Sequence, residues 1–138
     1  MTSVNRVDPL QAHAQLAADP MAVLIDVRSR MEFDYVGHPI GALHVPWKEF
    51  PEWKVNSGFV AAVRELLHAQ GGVAPEARPV YLLCRSGARS LAAGEELVRQ
   101  GFRRVYNIEE GFEGEKDAEN HRSTIGGWRF RGLPWEQG

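Results

Sequence analysis

Three short apolar runs stand out along an otherwise mixed chain. Residues 22–27 read Ala-Val-Leu-Ile-Asp-Val, residues 80–83 read Val-Tyr-Leu-Leu, and residues 104–108 read Arg-Val-Tyr-Asn-Ile. None alternates strictly between apolar and polar. Unalternating runs of strand length point to strands covered on both faces. Residues 42–45, stopped by Pro46, predict a further short strand. Between these runs the period changes. Phe59, Ala62, Val63, Leu66 and Leu67 fall on one helical face. Asn56 or Ser57 is the expected cap of that helix and Gly71 its end. Asp8-Pro9 opens an earlier helix through residues 10–17, because aspartate caps the first turn and proline suits its first position. Asp19-Pro20 stops it. Ser29 and Glu32 have capping-box spacing and predict a short helix that Gly37 ends. Residues 88–100 read as a helix closed by Gly101. The polar, glycine-containing stretch 113–127 predicts a loop, and the aromatic stretch 128–135 is expected to pack back on the body. Strands alternating with helices predict an α/β fold, a parallel sheet with helices on both faces.

Length and composition narrow the class. The 138 residues suit one compact domain. With 43% hydrophobic and 25% charged residues, a disordered or fibrous chain is excluded. A net charge of −2 argues against nucleic acid or an anionic membrane as partner. The N-terminal residues are polar, without an apolar signal core, and the apolar run 21–25 is too short to span a bilayer. The single cysteine rules out an internal disulfide and any thiolate metal cluster, and it suits a reducing compartment. A cytoplasmic location is expected.

That cysteine lies where chemistry is expected. Leu83-Cys84-Arg85-Ser86-Gly87-Ala88-Arg89-Ser90 joins the end of a buried strand to the start of a helix. In open α/β sheets, ligands bind at that edge. Gly87, flanked by Ser86 and Ala88, lets the backbone curl tightly. Successive N–H groups in such a curl form an anion nest, and the helix adds its positive end. Arg85 and Arg89 add full charges. The loop therefore favours an anion on sulfur, the reactive form of cysteine, and binds a second anion beside it. A buried, inert cysteine is the plainer alternative. The arginines, serines and glycine crowded next to Cys84 fit it poorly.

The same segment resembles the active loop of the rhodanese family. Other stretches resemble it in the same order: Leu24-Ile25-Asp26-Val27-Arg28, Glu32-Phe33, Gly37-His38, Gly41-Ala42, Gly101-Phe102, Val105-Tyr106-Asn107-Ile108 with Gly111, and Gly132-Leu133-Pro134-Trp135. The resemblance covers about residues 4–135. It implies a rhodanese-like fold, a parallel sheet of about five strands flanked by helices. It implies a sulfurtransferase in which Cys84 takes a sulfane sulfur from thiosulfate or a persulfide donor. The sulfur then passes to an acceptor such as cyanide or a thiol. Substrate binding falls by position to Arg85, Ser86, Gly87, Ala88, Arg89 and Ser90, with no metal and no cofactor. Two departures are visible. Pro39 precedes Ile40 where the family usually has the reverse order. Glu110 stands before Gly111 where a second glycine is common, and Trp128 lies beyond the polar stretch 113–127, read here as an insertion.

Other features are assigned to structure. Asp26 and Arg28 are expected to brace each other or the loop. His38 and His44 are six residues apart with no third ligand near. Trp128, Arg129, Phe130 and Arg131 interleave aromatic and basic residues, but such a short run is better read as tail packing. His121 and Arg122 could reach over the loop if the insertion folds back. Two other functions are weighed. Rhodanese-related phosphatases and arsenate reductases carry a longer Cys-x5-Arg loop, whereas Cys84 and Arg89 are separated by one residue fewer. Partner-binding modules with little turnover often lack the cysteine that this chain keeps.

Overall fold

The structure, a computed structural model, describes residues 3–138. Its first half comprises β1 (Asn5–Val7), α1 (Pro9–Ala18), β2 (Val23–Asp26), a π-helical turn (Glu32–Val36), β3 (His38–Pro39), β4 (Leu43–His44), β5 (Lys48–Glu49) and β6 (Lys54–Val55). The second half comprises α2 (Phe59–Gln70), a 3-10 turn (Pro75–Ala77), β7 (Val80–Leu83), α3 (Ala88–Arg99), β8 (Val105–Ile108) and β9 (Trp135–Glu136).

Five strands form the central sheet in the order β1-β8-β7-β2-β4, all pairings parallel. The central pair keeps a continuous register from Val23 opposite Val80 to Asp26 opposite Leu83. Because side chains alternate across a strand, each run feeds both faces. Val23, Ile25, Val80, Leu82 and Val105 join Phe59, Val63 and Leu67 of α2 and Ala93 and Leu97 of α3 in one core. Leu24, Tyr81, Leu83 and Ile108 join Ala12 of α1 with Phe112, Trp128 and Leu133 in the other. Helices thus cover both faces, and the unalternating pattern follows. No helix among the described residues is long and apolar enough to cross a membrane.

Local signals explain most boundaries. Asp8 accepts from the Gln11 N–H at 2.8 Å, and the Gln11 side chain accepts from the Asp8 N–H at 2.9 Å, closing a capping box on α1. The cap of α2 differs from expectation. Gly58 holds the cap position, and neither Asn56 nor Ser57 caps by side chain. Asn56 instead accepts from the Gly58 N–H and donates to the Pro46 carbonyl, fixing the turn before the helix. The Ser29–Glu32 contacts form, but the segment that follows is a wide turn, with the Gly37 N–H bonded to the Glu32 carbonyl. β1 was not expected, since Asn-Arg-Val is short and polar. Its parallel pairing with Tyr106, Asn107 and Ile108 defines it.

Candidate active site

Cys84 emerges from the carboxyl end of β7 and is 2% exposed. The chain then turns into α3 through Gly87, at φ +115°. That left-handed conformation suits glycine and strains any residue with a Cβ. It aims the Gly87 N–H at the Cys84 Sγ, 3.1 Å away. The Ser90 Oγ, on the first turn of α3, lies 3.3 Å from the same sulfur. Arg85 is exposed, and Ser86 is partly so.

The loop rests on a buried frame. Asn107, 1% exposed on β8, accepts from the Ser90 hydroxyl and donates to the Gly87 carbonyl at 3.2 Å. One amide thus fixes both groups that flank the sulfur. A second support comes from below. The Phe112 N–H bonds the Cys84 carbonyl at 2.8 Å, and the Glu113 N–H bonds the Arg85 carbonyl at 3.0 Å. Such contact requires the backbone at Gly111 to pass very close. A Cβ there would sit 2.5 Å from the Cys84 carbonyl oxygen, and φ is +64°.

Arg89 lines the pocket but does not present a free charge. Its two terminal nitrogens donate to the two carboxylate oxygens of Glu32 at 2.8 and 2.9 Å. Both side chains are mostly buried. Burial pushes the Glu32 carboxyl up, but the hydrogen bonds and charge of Arg89, followed by those from Ser29, outweigh it and bring the pKa down from 4.5 to about 2. The guanidinium also lies 5.2 Å from the Trp53 ring centre. Asp26 and Arg28 form a fully buried pair, with the Arg28 Nη2 at 2.7 Å from the Asp26 Oδ2. The Arg28 Nη2 also donates to the Gly37 carbonyl, and its guanidinium covers the Phe112 ring at 4.5 Å. This pair braces the wide turn and, through Phe112, the underside of the Cys84 loop. His38 and His44 each bond a backbone carbonyl, of Phe33 and Arg28, and both rings stack on Phe33.

A pocket of about 500 Å³ opens above the sulfur. Cys84, Arg85, Ser86, Ala88 and Arg89 form its base, while Gly87 and Ser90 face the interior behind it. Segment 113–127 folds back over the loop and brings Arg122 to the wall. His121 stays on the exposed side, where its backbone closes a turn on Asp117. Glu32, Asn107 and Trp53 did not emerge from the sequence as site residues. Only Asn107 carried a local signal, as a polar side chain inside an apolar strand that needs a buried partner.

Residues 8–118 match the family model described as the Rhodanese-like domain. The chain belongs to this family. Among solved structures this rhodanese-like domain is similar to Rv0390 from M. tuberculosis, with 38% identity, a TM-score of 0.85, and coverage of 99% of this chain and 100% of the other. It is also similar to the polysulfide-sulfur transferase homodimer of Wolinella succinogenes, with 25% identity and a TM-score of 0.59, covering 98% and 80% of the two chains. Among sequence relatives, the thiosulfate sulfurtransferase GlpE of Stutzerimonas stutzeri is 34% identical over 113 residues, 82% of this chain and 85% of that one. The rhodanese-like domain therefore has sulfurtransferases among its relatives.

Proposed function

We propose that this protein is a sulfurtransferase that carries a sulfane sulfur as a persulfide on Cys84. The observation that carries the reading is the position of the Cys84 sulfur. It lies at the base of an open pocket and takes a hydrogen bond from the Gly87 N–H, with the exposed Arg85 adjacent. With thiosulfate, the Cys84 thiolate attacks the outer sulfur. A sulfur–sulfur bond forms to Cys84, the bond to the sulfonate sulfur breaks, and sulfite leaves with the electron pair. Cyanide or a thiolate then attacks the outer persulfide sulfur, and the Cys84 thiolate leaves. Charge and atoms balance at both steps without an external oxidant or cofactor.

The residues divide the work. The Gly87 N–H stabilises negative charge on sulfur, since hydrogen bonds to a charged acceptor are the strong ones. The Ser90 hydroxyl gives its one proton to Asn107 and holds the first turn of α3 beside the sulfur. Ser86 and Ala88 shape the curl. Arg85 attracts the anionic donor. Arg89 serves mainly as a brace, because Glu32 occupies its fork. The same pairing counts against a phosphatase, whose loop arginine would have to offer that fork to phosphate oxygens. The proposal extends to the whole chain acting as one domain in the cytoplasm, with a thiol or protein acceptor.

Intact mass after incubation with thiosulfate tests this directly. The protein gains one sulfur atom, cyanide removes it, and Cys84→Ser gains none. Sulfur transfer by Cys84→Ser, or no mass gain by the wild type with any sulfane donor, overturns the reading.

A further inference from the structure

The pocket is much larger than thiosulfate. Thiosulfate has few non-hydrogen atoms, and even allowing each the roughly 30 Å³ that a whole water takes in the liquid, it fills no more than about a third of the pocket's volume of about 500 Å³. Pockets of this volume suit organic molecules of moderate size. The remaining space has a definite chemistry. One wall is aromatic, with Phe50 and Trp53 in contact at 4.6 Å between ring centres and both substantially exposed. The other wall comes from segment 113–127 and ends in Arg122.

Arg122 is held in place. Its Nη1 donates to the Gly114 carbonyl at 2.7 Å, and the Gly114 N–H in turn bonds the Arg85 carbonyl at 3.2 Å. The segment behind it is knotted by Asp117. That carboxylate accepts from the Thr124 hydroxyl and from the backbone N–H groups of Glu119 and His121, with the Thr124 bond first in holding its pKa down. The Ser123 N–H bonds the Glu113 carbonyl at 2.7 Å. Six arginines beyond this pocket, and Arg89 within it, sit in ion pairs closer than 3.6 Å; among the described residues, Arg85 and Arg122 of the pocket sit in none. The pocket lining thus holds two guanidinium groups outside any ion pair, Arg85 next to Cys84 in the chain and Arg122 of segment 113–127, together with the carboxylates of Glu32, paired with Arg89, and Glu113, 3.8 Å from Arg129.

We infer that Arg122 is a specificity-determining residue that selects organic persulfides bearing a carboxylate remote from the sulfur. This rests on the sulfurtransferase reading above and names the donor class for it. In this reading Arg122 grips the distant carboxylate, Phe50 and Trp53 cover the carbon chain, and Arg85, next to Cys84 in the pocket lining, adds the charge that draws the anionic donor in. The step balances: the Cys84 thiolate attacks the terminal sulfur of R–S–SH, the new bond makes a Cys84 persulfide that keeps the proton, and R–S⁻ leaves with the electrons of the broken bond.

Glutathione persulfide is the probe, with thiosulfate and the diethyl ester of glutathione persulfide as controls and cyanide as acceptor. Rates are corrected for the uncatalysed reaction. Arg122→Gln keeps a donor for the Gly114 carbonyl and removes the charge. Losing one charge-assisted contact is worth about tenfold or more. For Arg122→Gln, KM for glutathione persulfide therefore rises about tenfold with little change in kcat. Its KM for thiosulfate, which has no remote carboxylate, rises less than that for glutathione persulfide, its ester kinetics stay near wild type, and Arg122→Lys recovers part of the loss. Equal effects on glutathione persulfide and its ester, or unchanged KM in Arg122→Gln, overturn the inference. If wild-type Cys84 is loaded by none of the three donors, the sulfurtransferase reading itself fails.

Discussion

At the scale of single residues, the consequential feature is the pairing of Arg89 with Glu32. On sequence grounds both loop arginines are anion recruiters. The structure separates them, because a bidentate carboxylate neutralises one and leaves Arg85 exposed. Removing either partner leaves a largely buried charge alone, at a cost of about 3 kcal/mol, the low end for such pairs. The pH dependence has a definite sign. Glu32 is depressed in the folded state, from 4.5 to about 2. Its contribution is therefore fully present above pH 4.5 and fades as pH falls through about 2. In urea unfolding, Glu32→Gln is expected to be less stable than wild type at neutral pH, with the gap closing between pH 4.5 and 2. A gap independent of pH would mean that the pair contributes through shape alone. Arg85→Ala, by contrast, is expected to raise KM for thiosulfate at unchanged stability, most clearly at low ionic strength, where screening is weak.

At the scale of elements, the site depends on two glycines for different reasons. Gly87 needs its left-handed φ to aim an N–H at sulfur, and alanine there costs about 1–2 kcal/mol of backbone strain. Gly111 needs space as well, since a Cβ would meet the carbonyl of Cys84 at 2.5 Å. Gly111→Ala is therefore expected to push the Cys84 loop off its support and lower the rate of sulfur loading; loading at the wild-type rate would show that the loop does not depend on this contact. How far the sequence disclosed these elements follows from their physics. β2 and β7 were legible because a strand buried on both faces has an unalternating apolar run. The loop was legible because its residues are contiguous. Glu32 was not, because its contact with Arg89 spans 57 residues and depends on how the wide turn meets α3. β1 was hidden because pairing, rather than its own residues, makes it a strand. The α2 cap was misplaced by two residues or fewer, since Asn56 serves the turn before the helix.

At the scale of the molecule, the two sheet faces are covered unequally. One face has two amphipathic helices, α2 and α3. The other has α1, which buries only Pro9 and Ala12, so the C-terminal stretch must finish the core. Trp128 is the largest piece of that cover, at 2% exposed. Its ring meets His13 of α1 edge-on at 5.7 Å, and its Nε1–H donates to the Pro134 carbonyl at 2.9 Å. Truncating a buried tryptophan to alanine costs about 3–5 kcal/mol, because the cavity cannot fully collapse. That is a large share of the roughly 5–15 kcal/mol that holds a domain together. The backbone N–H of Trp128 also bonds the Gly111 carbonyl at 2.8 Å, and the substitution leaves that link in place. Trp128→Ala is therefore expected to lower the urea midpoint strongly while the protein that remains folded at low temperature still gains sulfur from thiosulfate. A midpoint near wild type would mean that α1 and Phe112 cover the face without it. Loss of sulfur loading from fully folded Trp128→Ala would mean that the ring, and not the backbone bond, positions Gly111 under the Cys84 loop.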